Sequence, residues 1–403
     1  MLVHWIWLAT RQGLNKQAQY ELIRRFGDPE EVYRTSEADL RAVSGMSAKG
    51  LASLKEKSLD QAKGILHHCR QNDIYLLTLE DELYPQRLRG IYDPPILLFY
   101  RGRLPDWEAQ PIIGAVGTRY CSQYGIRSGQ RLGQQLTHCG GCVASGIAEG
   151  IDAAILSGVL AAKGSPVVFL AGGVDVIYPA ENRGLYQEIL SCGGCIISEQ
   201  PPGVKPVKWL FPIRNRLISG ISNAVLVVEA PEQSGALITA RHAMEQGREV
   251  YAVPGPIDAE SCQGSNGLLK NGAQIAQSGW DILESYQDRY EGLQDRTKDC
   301  TTVRDPGVAS LVHRKKTARK PSKVKKVIDN GSKPPYIDVE KKAAVRSPEE
   351  QAIVSQLLSG PRLTDAVINE CGLSKGEALA AMTMLEIQGV LRRLPGNLMA
   401  LNE

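Results

Sequence analysis

Nowhere in these 403 residues is there an apolar run long enough to cross a bilayer, which takes about 20 residues as a helix. The N-terminal run 3–9, VHWIWLA, is too short for the apolar region of a secretion signal and lacks a basic start. A soluble, cytoplasmic protein with no membrane partner is expected, and its nine cysteines then read as reduced thiols rather than a disulfide framework. Charge of one sign is also scarce. A formal net charge of +3 leaves no general attraction for polyanions, so any nucleic-acid site must be a local patch.

Several chemical signatures are missing too. No Gly-x-Gly-x-x-Gly opens a helix after the first strand of the α/β pattern, which argues against a dinucleotide cofactor. The absence of Gly-x-x-x-x-Gly-Lys-Ser/Thr argues against an ATPase. There is no His-x-Glu followed by a cysteine pair, and no Gly-x-Ser-x-Gly elbow. Glu149 and Asp152 are the acids nearest a Gly-rich loop; Asp152 reads as a helix cap and Glu149 as a solvated side chain. No catalytic residue, cofactor or metal is therefore assigned. Cys139-Gly-Gly-Cys142 and Cys192-Gly-Gly-Cys195 have the ligand count of a structural zinc site, but each Gly-Gly reads as a helix-to-strand turn between small buried thiols.

What is present is organised around Lys208 to Gly220, KWLFPIRNRLISG. The run carries three cations (Lys208, Arg214, Arg216) and two π-faces (Trp209, Phe211), with no acid among them. Cations meet phosphates and rings stack on bases of any identity, the chemistry of single-strand binding. The same run also reads as a strand-to-helix junction with buried rings and solvated cations.

A hydrophobic share of 43% over this length accommodates two or three domains. Residues 1–80 read as a helical module. Leu14, Ala18, Leu22, Ile23 and Phe26 recur at helical spacing before Gly27-Asp28-Pro29, and Ser36 with Asp39 forms a variant capping box. Leu40 to Leu54 resembles a helix-hairpin-helix in which Ser47 replaces a hairpin glycine, so a structural role is expected.

Residues 81–285 begin with a proline-rich bridge and a strand near 102. Short β-branched strands then alternate with helices, at 112–116, 142–145, 167–170, 195–198, 224–228 and 249–253. This implies a Rossmann-like, doubly wound parallel sheet with ligands at the carboxyl ends of the strands.

Residues 286–346 lose periodicity, carry the cations Arg314, Lys315, Lys316, Arg319, Lys320, Lys323, Lys325 and Lys326, and read as a basic disordered linker. In 347–403, three helices and a hairpin across Pro395-Gly396-Asn397 suggest a winged helix. Its third helix is poorly basic for a major groove, which favours protein contact.

Four Gly-containing loops are expected to converge at one sheet edge beside Lys208–Arg216. They are Gly114 to Arg119, Ser145 to Asp152, Ser234 to Ala240, and Gly264 to Gly272, the last including Lys270. The helix starting near Ser122 is expected to point its positive end at a phosphate, with Arg119 as a bidentate donor.

Aligned in this way, the chain resembles the DNA-processing protein A (DprA/Smf) family. The resemblance rests on Gly117-Thr118-Arg119-x-x-Ser122-x-Tyr124-Gly125, Ser145-Gly146-x-Ala148-x-Gly150-x-Asp152, Tyr178-Pro179-x-x-Asn182, Phe211-Pro212-x-Arg214-Asn215-Arg216, Ser234-Gly235-x-x-x-Thr239 and Gly264-x-Asn266-x-Leu268-x-x-x-Gly272. It implies an extended Rossmann fold and a non-enzymatic, homodimeric mediator. Such a protein binds single-stranded DNA, protects it and loads the RecA recombinase during natural transformation. It also implies that Arg119, Lys208 and Phe211 contact DNA and that the Ser145, Ser234 and Asn266 loops hold phosphate.

With the loop reading, the candidate nucleic-acid contacts are Arg119, Lys208, Phe211, Arg214, Asn215, Arg216 and Lys270. The candidate phosphate contacts are Gly117, Ser145, Gly146, Gly150, Ser234, Gly235, Thr239 and Asn266. Leu156 stands where the family usually has histidine. The rival is a nucleotide phosphoribohydrolase of related fold, but Ser234-Gly235-Ala236-Leu237 is not that enzyme's Pro-Gly-Gly-x-Gly-Thr loop.

Overall fold

The computed structural model describes residues 2–300 and 348–401, apart from 359, 361, 388–389 and 395–397. The expected linker 286–346 starts too early: residues 286–300 are described, with Tyr290 and Leu293 buried and the Tyr290 hydroxyl bonded to Arg87 and Asn223, because these apolar side chains find a place against the sheet domain. The basic cluster 314–326 and the turn 395–397 lie outside the described residues. The chain divides into two units, residues 1–317 and 318–403.

Six runs of buried, mostly apolar residues form the strands that the alternation predicts. They are β3 (Ile112–Val116), β4 (Cys142–Ser145), β5 (Val167–Leu170), β6 (Cys195–Ser198), β7 (Ala224–Val227) and β8 (Glu249–Ala252). β3 to β6 have the expected bounds, and β7 and β8 each end one residue early. Two strands precede them, β1 (Tyr75–Thr78) and β2 (Leu97–Gly102), and β9 (Gln274–Ile275) follows. The sheet order is β1-β2-β6-β5-β4-β3-β7-β8-β9. From β6 to β9 all neighbours are parallel, whereas β1 and β2 add an antiparallel edge beside β6.

The chain winds outward from β3 in both directions, which opens a crevice at the carboxyl ends of β3, β4 and β7. Successive side chains of β3 enter opposite cores: Ile112 and Val116 on one face, Ile113 and Ala115 on the other. A sheet covered on both faces is why these strands read as unbroken apolar runs.

The N-terminal helices belong to the same body. Trp7, Leu22 and Leu54 share a core with Phe99 of β2 and Phe169 of β5. β1 lies before the expected boundary at residue 80 yet pairs into the sheet. The helix Lys16–Phe26 is capped by Asn15 and stopped by Gly27 at φ 88°, as the pattern predicts. Ser36 accepts from the Asp39 amide and donates to its carboxylate. Ser47 caps the helix Ala48–Lys55 through the Gly50 amide and donates to the Gly13 carbonyl at 2.6 Å, so its hydroxyl ties the hairpin to the chain before it.

Gly140 (φ 98°) and Gly193 (φ 80°) make the turns into the amino ends of β4 and β6. Burial pushes the Cys142 thiol up to about 12, so it stays protonated. Among the described residues, no helix is long and apolar enough to cross a membrane.

The second unit packs helices Pro348–Leu357, Thr364–Glu370 and Lys375–Ile387 around Ile353, Leu357, Val367, Met382, Leu385 and Met399. A small sheet adjoins them, with β10 (Arg362–Leu363) and β11 (Leu391–Leu394) flanking β12 (Leu398–Leu401). Helices and hairpin match the expected winged helix, and β10 is an addition to it.

Candidate nucleic-acid interface

Two adjoining clefts of about 340 and 360 Å³ open at the carboxyl ends of the central strands. Both are lined by Arg119, Tyr120, Ala148, Phe211 and Arg214. Arg119 follows β3, and Phe211 sits in the first turn of the helix Leu210–Ile221. The Arg119 guanidinium lies 4.7 Å from the Phe211 ring centroid. Tyr178, half exposed, leans on the same ring with centroids 6.1 Å apart and planes at 60°. Tyr120 is 68% exposed and Trp209 65% exposed. Tyr120, Tyr178 and Phe211 line the first cleft with Arg119, whereas Trp209 lines neither cleft; exposed rings beside a guanidinium are the chemistry on which unpaired bases stack.

The second cleft gathers groups able to donate to an anion. Ser234 caps the helix Gly235–Glu245 by accepting from the Ala236 amide, and the space around Gly235 is open. One turn on, Thr239 lines the cleft, and its buried hydroxyl has no hydrogen-bond partner among the described residues. A helix N-terminus, an unpartnered hydroxyl and the Arg214 guanidinium converge there, a donor set suited to phosphate.

The floor between the clefts is electrostatically balanced. Arg214 is buried, donating to the Phe169 carbonyl and through Nε to Asn215 Oδ1 at 3.1 Å. Asp152 accepts from the Ala148 amide at 3.3 Å, rather than capping its helix. Burial raises the Asp152 carboxyl to about 6, with Arg214 opposing the rise. Gly146 lies between the two groups, where a Cβ would strike both. Gly150, at φ +79°, lets the helix Ile151–Ala161 start against the Thr118 and Arg119 carbonyls.

Other candidates are placed differently. Arg216 does not reach the clefts: it is 4% exposed, and its guanidinium pairs with Glu199 and with Asp93. The reading of Arg216 as a phosphate contact gives way to a buried ion pair. Ser145 is wholly buried and donates to the Ala115 carbonyl at 2.6 Å, so its hydroxyl is not available to a ligand. Gly117 lines the second cleft, and a Cβ there would strike Ile151.

The fourth Gly-rich stretch is helical at Gln263–Lys270, and the Gly264 and Ser265 amides bond to the Ala230 carbonyl. Asn266 is held by the Gly255 backbone through both ends of its amide. Those groups answer to the protein itself, not to phosphate. The N-terminus of the helix Gln123–His138 is likewise filled from within. The Glu229 carboxylate accepts from the Ser122 amide and hydroxyl, so that positive end already has its anion. Lys208 is exposed two residues beyond Pro206 in the cleft wall, and Lys270 is exposed at the end of its helix. Asn215 lines the second cleft and donates to the Gly235 carbonyl.

Tyr178 and Tyr120 were not singled out from sequence as contacts. The available signal was an aromatic residue in a polar loop leaving a buried strand, where no core needs it.

Comparison with known proteins identifies the family. Residues 75–287 match the family model described as DNA recombination-mediator protein A, and residues 339–397 match the DprA winged helix domain. Protein Smf of Synechocystis sp. is 33% identical over 97% of this chain and 96% of its own length. DNA processing protein DprA of Bacillus subtilis is 38% identical over 60% of this chain and 82% of its own. The crystal structure of DNA processing protein A from Streptococcus pneumoniae superposes with a TM-score of 0.63 at 31% identity, covering 70% of this chain and 98% of that one. The chain belongs to the DNA recombination-mediator protein A family, DprA/Smf.

Proposed function

We propose that this protein binds single-stranded DNA across the carboxyl edge of its sheet and acts there as a binding protein, without a catalytic step. The observation that carries this is the Arg119–Phe211 stack beside Tyr178, raised between two clefts. A base stacks on a ring whatever its sequence, and adjacent phosphates fall to Arg119, Lys208, Arg214 and the Ser234–Thr239 turn. Duplex DNA keeps its bases stacked inside and has no use for such a platform.

In this reading the bound strand is protected and passed to the RecA recombinase during natural transformation, in the cytoplasm. The protein works as a homodimer, and the apolar side chains available to a second copy include Ile257 (93% exposed) and Ile275 (56% exposed) on the edge strand β9. The winged helix serves protein contact.

Fluorescence anisotropy with a labelled oligothymidylate and its duplex, over a salt series, tests the binding step. Tight binding to the single strand and weak binding to the duplex is expected. Equal affinity for both would sink the reading. RecA filament assembly on a protein-coated strand, with and without this protein, tests delivery.

A further inference from the structure

The amino ends of β7 and β8 carry a basic pocket, at the opposite end of the strands from the clefts. Its volume is about 330 Å³, and its lining includes Arg87, Arg248, Arg289, Asn223 and Tyr286. Four-residue strands separate the two ends by roughly 13 Å at 3.3 Å per residue, so the sites are distinct.

The charges in this pocket do not cancel. Glu108 is shared between Arg87 at 3.1 Å and Arg289 at 3.9 Å. The Glu249 carboxylate also lines the pocket and accepts from the Tyr286 hydroxyl at 2.8 Å, so three guanidiniums meet two carboxylates. Arg248 donates to the Arg87 and Gly220 carbonyls at 3.2 Å each, which are neutral acceptors. Burial first, and then the neighbouring Arg87, pulls its pKa down.

Two donors are also stranded. The Nε atoms of Arg87 and Arg248 are buried without a hydrogen-bond partner among the described residues, and the Arg87 side chain is only 8% exposed. Leaving a guanidinium N–H unpaired in the interior is costly, and clustering three guanidiniums adds repulsion. An anion on the open side of the cluster relieves the repulsion, while the two Nε atoms are enclosed by protein and lie out of its reach.

We propose that the Arg87–Arg248–Arg289 pocket binds a phosphoryl group. Planar guanidinium forks match phosphate oxygens in pairs, and the volume suits a phosphate or a single nucleotide. The phosphate comes either from a free phosphate compound or from the backbone of a strand that has left the carboxyl edge. In the second case the pocket is a further anchor for the bound DNA. The pocket does not depend on the reading of the stacking platform.

The test is phenylglyoxal modification of the full chain, read by mass spectrometry at Arg289 (side chain 63% exposed) with Arg24 (68% exposed) as an internal reference. Inorganic phosphate at about ten times its dissociation constant is expected to slow modification of Arg289 roughly tenfold, with Arg24 unaffected. Arg248→Gln is expected to abolish that protection. Protection by oligothymidylate as well as by phosphate assigns the ligand to the strand backbone, and protection by phosphate alone assigns it to a small phosphate compound. Equal rates at Arg289 with and without both probes would overturn the proposal. Should Arg248→Gln fail to fold, the wild-type protection decides. Phe211→Ala leaves protection by inorganic phosphate intact even where it abolishes strand binding, so the two readings fail separately.

Discussion

Arg216 and Glu199 meet inside the protein. Arg216 Nη2 lies 2.9 and 2.8 Å from the two carboxylate oxygens, and both side chains are 5% exposed. Asp93 takes the guanidinium Nε side at 3.0 Å, and Lys16 reaches Glu199 at 3.5 Å. The pair therefore joins the helix Leu210–Ile221 to the N-terminal module. Arg216→Ala would leave Glu199 buried with only Lys16 nearby, and removing one partner of a buried pair costs about 3–5 kcal/mol. Urea denaturation should show that loss. The protein that remains folded should keep its parent's salt dependence for single strands.

Lys208 should behave in the opposite way. Its ammonium is exposed, and Lys208→Ala should leave the urea midpoint unchanged. Each phosphate neutralised on a single strand contributes about 0.7 to the slope of log K against log salt. Anisotropy titrations over a salt series should show the slope shallower by that amount.

The stacked pair is testable as a pair. Phe211→Ala should weaken oligonucleotide binding about tenfold or more, since stacking is worth about 1–3 kcal/mol per base. Phe211 is only partly buried, so the domain should stay folded. Arg119→Ala should weaken binding too, but the double variant should lose less than the sum. The cation–π contact at 4.7 Å contributes about 0.5–1 kcal/mol to preorganising the platform. Strict additivity in a double-mutant cycle would show that the two side chains act independently.

The central strands were legible because a parallel sheet buried on both faces makes each strand a short apolar run between Gly-rich loops. β1 was not: four residues behind 70 of helical pattern carry too little signal, and only pairing with β2 makes them a strand. β9, with two residues, was invisible for the same reason. In the site, residue types were readable but their partners were not. Arg119 and Arg216 look alike in sequence. What separates them is Glu199 and Asp93, brought in from other elements by the fold. Glu229 takes the N-terminus of the helix Gln123–His138 from 107 residues away, a closure that no local pattern announces.

Asp152 should give the protein a pH signature. Burial raises its carboxyl from an ordinary 3.8 to about 6. Between those values the folded protein holds a proton that the unfolded chain has released. Stability therefore falls as pH rises from about 4 to about 6, by on the order of 2–3 kcal/mol at most, and is flat on either side. Below pH 4 the acid is neutral in both states, and above 6 the buried charge remains, partly offset by Arg214. Asp152→Asn keeps an oxygen for the Ala148 amide but has no proton to exchange. Urea unfolding from pH 4 to pH 7 should show the parent losing stability relative to the variant across that window. Parallel curves would mean that Asp152 titrates as an ordinary exposed acid and that the floor of the clefts is wetter than its burial indicates.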